Sequence, residues 1–340
     1  MPAGPGPSRR AVLGGTALLA LPALWGCSGG GAPRAAAPGP DVAVLSAAIA
    51  AEQDLIARYE AARGAHASLA EQVDPAIAHH REHLAVLRRH HVPGSGKQAN
   101  GEQVSGGATT PAAGRQQVPG SPSQALASLR TAEARIAARY AADAGKSAPG
   151  LAQLLASIGA CAAGHSGASG AAKKTAPPPG AALPPARGLT LRALQSALAT
   201  EHAAVYGYGV LGSRITGGPH ETAQAYWNAH RVQRDALMAL LTARQAKPVA
   251  AAAAYRLPVR VTSTRSAAQL AVRLEDDLTV AYVGLSGAQD AELRDQAARA
   301  AQEAMIRADR WRATAGMPVS HAAFPGLPAS ALAPKPRPGA

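Results

Sequence analysis

Apolar residues along this chain recur at alternating spacings of three and four, and no run of alternating β-branched residues interrupts them, so the pattern predicts helix wherever it is periodic. Eight stretches qualify, at approximately 41–64, 67–91, 123–145, 148–165, 189–213, 219–246, 264–286 and 289–315. Residues 93–122 and 166–188 are dense in Gly, Pro, Ser and Thr, which predicts a disordered loop and a linker. The expectation is an all-α protein of two tandem four-helix bundles: residues 41–165, the Pro/Gly-rich linker 166–188, then residues 189–328, with a disordered tail over 329–340.

The two sets of four helices repeat one another. "LSAAIAAEQDLIARY" (45–59) aligns without gaps with "LQSALATEHAAVYGY" (194–208), matching Glu52 to Glu201 and Tyr59 to Tyr208. The third helix of each set carries the same device, Glu133 with Tyr140 and Glu275 with Tyr282. Seven residues make two helical turns, so each Glu and Tyr lie on one face. That face is the apolar one: Val42, Leu45, Ile49, Glu52, Ile56, Tyr59 in the first helix and Leu191, Leu194, Leu198, Glu201, Val205, Tyr208 in its counterpart.

A carboxylate pointed at a core must be paired, hydrogen-bonded or bound to metal. In the first set the apolar faces of helices two and four add His80, with His83 beside it, and His165, so that Glu52, His80, Glu133 and His165 form a candidate site for one divalent metal. The alternative is a metal-free network of the same groups. Cys161, one turn before His165, is a soft further ligand or a small core residue, and His79, His90 and His91 are taken as solvated surface groups. In the second set, the expected buried polar network is Glu201, Tyr208, His230, Arg234, Glu275 and Tyr282, with the Arg234 guanidinium neutralising the two acids and no metal. His202 faces sideways or outward, and Glu303 with Arg307 is spaced as a surface pair.

With these residues in view, the chain resembles the ferritin-like superfamily, in which helices one and three each give a Glu and helices two and four each give Glu-x-x-His to two irons. The C-terminal half, with "ATEHAAVYGYGVL", "AHRVQRDALMALL", "AYRLPV", "RWRATAGMP" and "FPGLP", is similar to an uncharacterised ferritin-like domain of exported bacterial lipoproteins, and the N-terminal half resembles a diverged copy. The departures bear on function. Ile77 precedes His80, Ala162 precedes His165 and Trp227 precedes His230 where the bridging glutamates belong, and Glu303-x-x-Ile306 lacks its histidine. The resemblance therefore implies the fold without the di-iron chemistry: a binding or structural protein without catalytic turnover, or else a metal-storage or redox protein using the first bundle.

The amino terminus adds a location. Ser8-Arg9-Arg10 followed by an apolar run and Leu24-Trp25-Gly26-Cys27 resembles a twin-arginine export signal ending in a lipobox, with residues 28–40 as a flexible tether. The expectation is a lipoprotein on the outer face of the cytoplasmic membrane, attached through lipidated Cys27, which leaves Cys161 as the one remaining thiol. The net charge of +13 comes from scattered Arg and Lys without interleaved aromatics, so nucleic acid is not an expected partner; no motif names a protein partner.

Overall fold

A computed structural model describes residues 40–91, 118–167, 183–318 and 321–332. The signal, Cys27, the tether up to residue 39, most of the loop and linker, and the last residues of the tail lie outside these. The described residues form eight α-helices and no strand: α1 (Pro40–Ala65), α2 (Ala70–His90), α3 (Pro122–Lys146), α4 (Pro149–Ser166), α5 (Gly188–Gly212), α6 (Gly218–Ala243), α7 (Thr264–Leu285) and α8 (Ala291–Thr314). Each lies within a few residues of its periodic stretch, and local chemistry marks the ends. Ser121, Ser263 and Asp290 accept hydrogen bonds from backbone N–H groups in the first turns of α3, α7 and α8.

Helices α1–α4 pack together, as do α5–α8, and the two quartets meet where α3 and α4 lie along α8. The approach is close: a Cβ at Gly159 would stand 2.8 Å from the Gln302 side chain and 3.2 Å from Tyr140 Cβ. Gln302 donates to the Ala137 carbonyl at 2.7 Å. Buried Arg294 donates across the seam to the Ala144 (3.1 Å) and Gly145 (3.0 Å) carbonyls at the end of α3, and to Ala288 and Gln289 in the α7–α8 turn. Arg294→Ala strands these acceptors in a buried seam, and is expected to lower unfolding free energy by about 2–3 kcal/mol, read from the denaturant midpoint.

The core faces differ from the seams read from large residues. In α1 the buried line is Leu45, Ala48, Glu52, Leu55, Tyr59 and Ala62, whereas Ile49 and Ile56 are only partly buried. In so alanine-rich a chain, small side chains let helices close on faces that bulk alone does not mark. Three surface assignments are corrected. His79 is half-buried against α4, His202 is buried under the α6–α7 connection with Nε2 3.2 Å from the Val249 carbonyl, and the Glu303–Arg307 pair is largely covered. The tail is also ordered further than expected, with a 3-10 turn at Ala329–Ala331 and Leu332 packed on the first core. Phe324, the chain's one phenylalanine, is buried in the N-terminal quartet, although its motif marks the C-terminal half.

Candidate functional site: two imidazole-bridged carboxylate cores

The four glutamates face inward as their spacing demands, and Glu52, Glu133 and Glu275 are fully buried, with Glu201 at 1% exposure. Helices α1 and α3 run antiparallel, so each tyrosine reaches the other helix's acid. Tyr59 donates to Glu133 Oε1 at 2.8 Å and Tyr140 to Glu52 Oε1 at 2.6 Å. The second quartet repeats the exchange: Tyr208 donates to Glu275 Oε1 at 2.6 Å and Tyr282 to Glu201 Oε1. Burial first, and the adjoining carboxylate second, raise the tyrosine pKa values well above their ordinary range, so the hydroxyls remain donors.

Between each pair of acids stands one imidazole. His80 donates from Nδ1 to Glu52 Oε2 and from Nε2 to Glu133 Oε1, both at 2.8 Å. His230 donates from Nδ1 to Glu201 Oε2 at 2.9 Å and from Nε2 to Glu275 Oε1 at 3.0 Å. An ionised carboxylate only accepts, so a ring held between two of them needs a proton on both nitrogens. Burial alone would discharge the imidazolium, but Glu133, then Glu52, overcome it and raise His80 to about 10. Glu275, then Glu201, likewise raise His230 to about 9 against burial. Reciprocally, burial would raise Glu52, yet His83 and His80 pull it down to about 2.

Of the residues expected at the first site, all four converge, but His80 occupies the centre. The donors form two overlapping triads, Glu52–His80–His83 and His80–Glu133–His165, rather than a four-atom cage. His83, fully buried, donates from Nε2 to the Ala323 carbonyl at 2.6 Å and has Nδ1 3.2 Å from Glu52 Oε2. His165 Nδ1 lies 3.2 Å from Glu133 Oε1. Neither core fits a bridged pair of irons. A ring spans the two glutamates with both its nitrogens engaged, and among the described residues no further carboxylate joins Glu52 and Glu133 or Glu201 and Glu275.

In the second core, Arg234 does not play its expected part. Its guanidinium turns outward to Asp235, at 2.7–2.9 Å, and His230 stands between the two acids in its place. The cation that does approach is Arg307 on α8, ion-paired with Glu303 at 2.9 Å and 5.3 Å from the Tyr226 ring centroid. Burial opposes its charge, but Glu275 and then Glu303 favour it. Trp311, also missed, donates from Nε1 to the Tyr208 hydroxyl at 2.8 Å, which gives the "RWR" motif a structural reason; Arg312 beside it forms a bidentate pair with Asp276 at 2.7 and 2.8 Å.

Residues 193–329 match the family model described as a domain of unknown function, DUF4439. The crystal structure of a conserved hypothetical protein from Mycobacterium tuberculosis is similar at 36% sequence identity, over 39% of this chain and 96% of that one, with a TM-score of 0.37. The C-terminal part of the chain is a DUF4439 domain. No curated protein matches it. Within the DUF4439 region lie Glu201, Tyr208, His230, Glu275, Tyr282, Arg307 and Trp311, so the second core belongs wholly to this domain. The first core, with the same exchange of tyrosines and the same central imidazole, lies wholly outside it.

Proposed function

We propose that the protein is an exported lipoprotein whose two ferritin-like bundles, the first a diverged copy of the second, form a non-catalytic binding or structural module at the outer face of the cytoplasmic membrane. The observation that carries this reading is the ring of His80 and of His230, each placed between two buried carboxylates where redox-active metal would have to sit. Such a core holds its charges in place and leaves no open coordination position for oxygen or substrate. Export rests on Ser8-Arg9-Arg10 and the Leu24–Cys27 sequence. No helix among the described residues is long and apolar enough to cross a membrane, so attachment in this reading falls to an acyl group on Cys27.

Two measurements test it. Ferrous iron added aerobically to the purified chain is expected to oxidise at the rate of protein-free buffer, and Cys27→Ala is expected to move the protein from the membrane fraction to the soluble fraction. Stoichiometric iron that is lost on Glu52→Ala or Glu201→Ala, with accelerated oxidation, overturns the non-catalytic reading; membrane retention of the Cys27 variant overturns the anchor.

A further inference from the structure

Beside the first glutamate core, and sharing His165 with it, three imidazoles and the buried thiol face one another where α2 and α4 meet the segment that follows α8. We propose that His79, Cys161, His165 and His321 form a mononuclear tetrahedral zinc site that fastens the C-terminal segment to the N-terminal bundle. His79 Nδ1 lies 3.1 Å from His165 Nε2, and Cys161 Sγ lies 3.6 Å and 3.9 Å from those same nitrogens. One donor atom from each of the four residues lies within 4.8 Å of all the others. A tetrahedral zinc with its usual bond lengths separates two nitrogens by about 3.3 Å and a nitrogen from a sulfur by about 3.6 Å. The observed spacings already approximate the edges of that polyhedron.

Burial makes the arrangement hard to explain without a cation. The His321 side chain is 4% exposed, and neither of its nitrogens makes a hydrogen bond. Its ring centroid is 5.5 Å from that of His79 and 5.2 Å from that of His165, which are themselves 5.3 Å apart. Within this cluster of three imidazoles, His321 forfeits the hydration of both its nitrogens without recompense. Carboxylates stand behind two of the rings, as they do behind metal-bound histidines. Glu133 Oε1 is 3.2 Å from His165 Nδ1, and Asp309 Oδ2, which has no hydrogen bond of its own, is 3.5 Å from His321 Nδ1. Asp309 is in turn fixed by Arg312 at 2.8 Å. Gly164 permits the approach: a Cβ there would stand 2.6 Å from both Asp309 Oδ2 and His321 Cε1.

The ligand set chooses the ion. One thiolate and three imidazoles suit zinc and exclude magnesium and calcium, and four protein donors close the coordination sphere, which marks a structural rather than a catalytic centre. Binding replaces the Cys161 S–H bond with a zinc–sulfur bond and releases that proton to solvent. Because two ligands lie on α4, one on α2 and one beyond α8, the ion ties the DUF4439 half to its neighbour at a point where Phe324 and His83 already meet, with ring centroids 5.1 Å apart.

The full chain, stripped of metal with a chelator, is titrated with cobalt(II) and then with zinc. One cobalt per chain is expected, with a thiolate-to-cobalt charge-transfer band and the intense d–d absorption of tetrahedral cobalt, displaced by one equivalent of zinc. Cys161→Ala, a small core replacement, should fold yet lose the charge-transfer band; His321→Ala should weaken zinc binding at least ten-fold; His220→Ala, at an exposed histidine on α6, should change neither. Circular dichroism identifies any variant that has unfolded. Absence of zinc at equimolar concentration, an octahedral cobalt spectrum, or wild-type binding by folded Cys161→Ala and His321→Ala each overturns the site. The iron assay above has an independent outcome, so either proposal can fail alone.

Discussion

Replacing His230 with alanine is expected to destabilise the protein by about 3–5 kcal/mol, because it leaves Glu201 and Glu275 as two charges in a site with at most 1% exposure and no cation between them. Tyr282 would still donate to Glu201 Oε1 and Tyr208 to Glu275 Oε1, and Arg307 stands near Glu275, but among the described residues no other hydrogen bond reaches Glu201 Oε2, and Glu275 Oε2 has none. If charge is the cause, removing it should restore stability. The triple variant His230→Leu, Glu201→Gln, Glu275→Gln keeps a carbonyl acceptor for each tyrosine and is expected to recover most of the loss. Denaturant midpoints of the wild type, the single variant and the triple variant measure this coupling directly. Equal losses in the single and triple variants would mean that the ring acts by filling volume. Arg234→Ala supplies the contrast: its surface pair with Asp235 is worth no more than about 0.5 kcal/mol.

That contrast locates what the sequence could say. Position along a helix was legible: Glu-x6-Tyr put four acids and four tyrosines on apolar faces, and all eight are buried. Which helix each side chain answers to was not, since a seven-residue spacing places a glutamate and its own tyrosine two turns apart and leaves the tyrosine's partner to tertiary structure. Tyr59 and Tyr140 therefore exchange acids. Arg234 and Arg307 show the same limit. Both belong to stripes that pass the second core, and only the packing of α8 decides that the second approaches it and the first turns away. His83 was placed a fraction of a turn off the seam because Leu84 and Leu87 dominated the apolar count, whereas the helix leaves Leu84 partly exposed and buries His83 and Val86 together with Leu87. His321 offered no periodic signal at all. It follows α8 in irregular chain, and its meeting with His79, Cys161 and His165 depends on contacts between residues more than 150 positions apart.

The charge on His230 also fixes how stability must vary with pH. Its folded pKa is raised from 6.5 to about 9, as Glu275 and Glu201 together outweigh burial. A base whose folded pKa lies above its unfolded value contributes its full stabilisation below about pH 6.5, and loses it as the pH climbs through about 9. The measurable quantity is the gap in unfolding free energy between the wild type and the His230→Leu, Glu201→Gln, Glu275→Gln variant, which has no titrating group at that position; every other ionisable group is common to both and largely cancels. The wild type should lose ground steadily against the variant between pH 6.5 and 9, by on the order of 3 kcal/mol in total. Tyr208 and Tyr282 do not confuse the window, because their raised pKa values confine ionisation to still higher pH. A gap that stays level across this range would mean that the folded site holds no proton the unfolded chain has released, so that His230 is neutral between two ionised acids. A neutral ring donates from one nitrogen only, so one of its two carboxylate hydrogen bonds would then be absent.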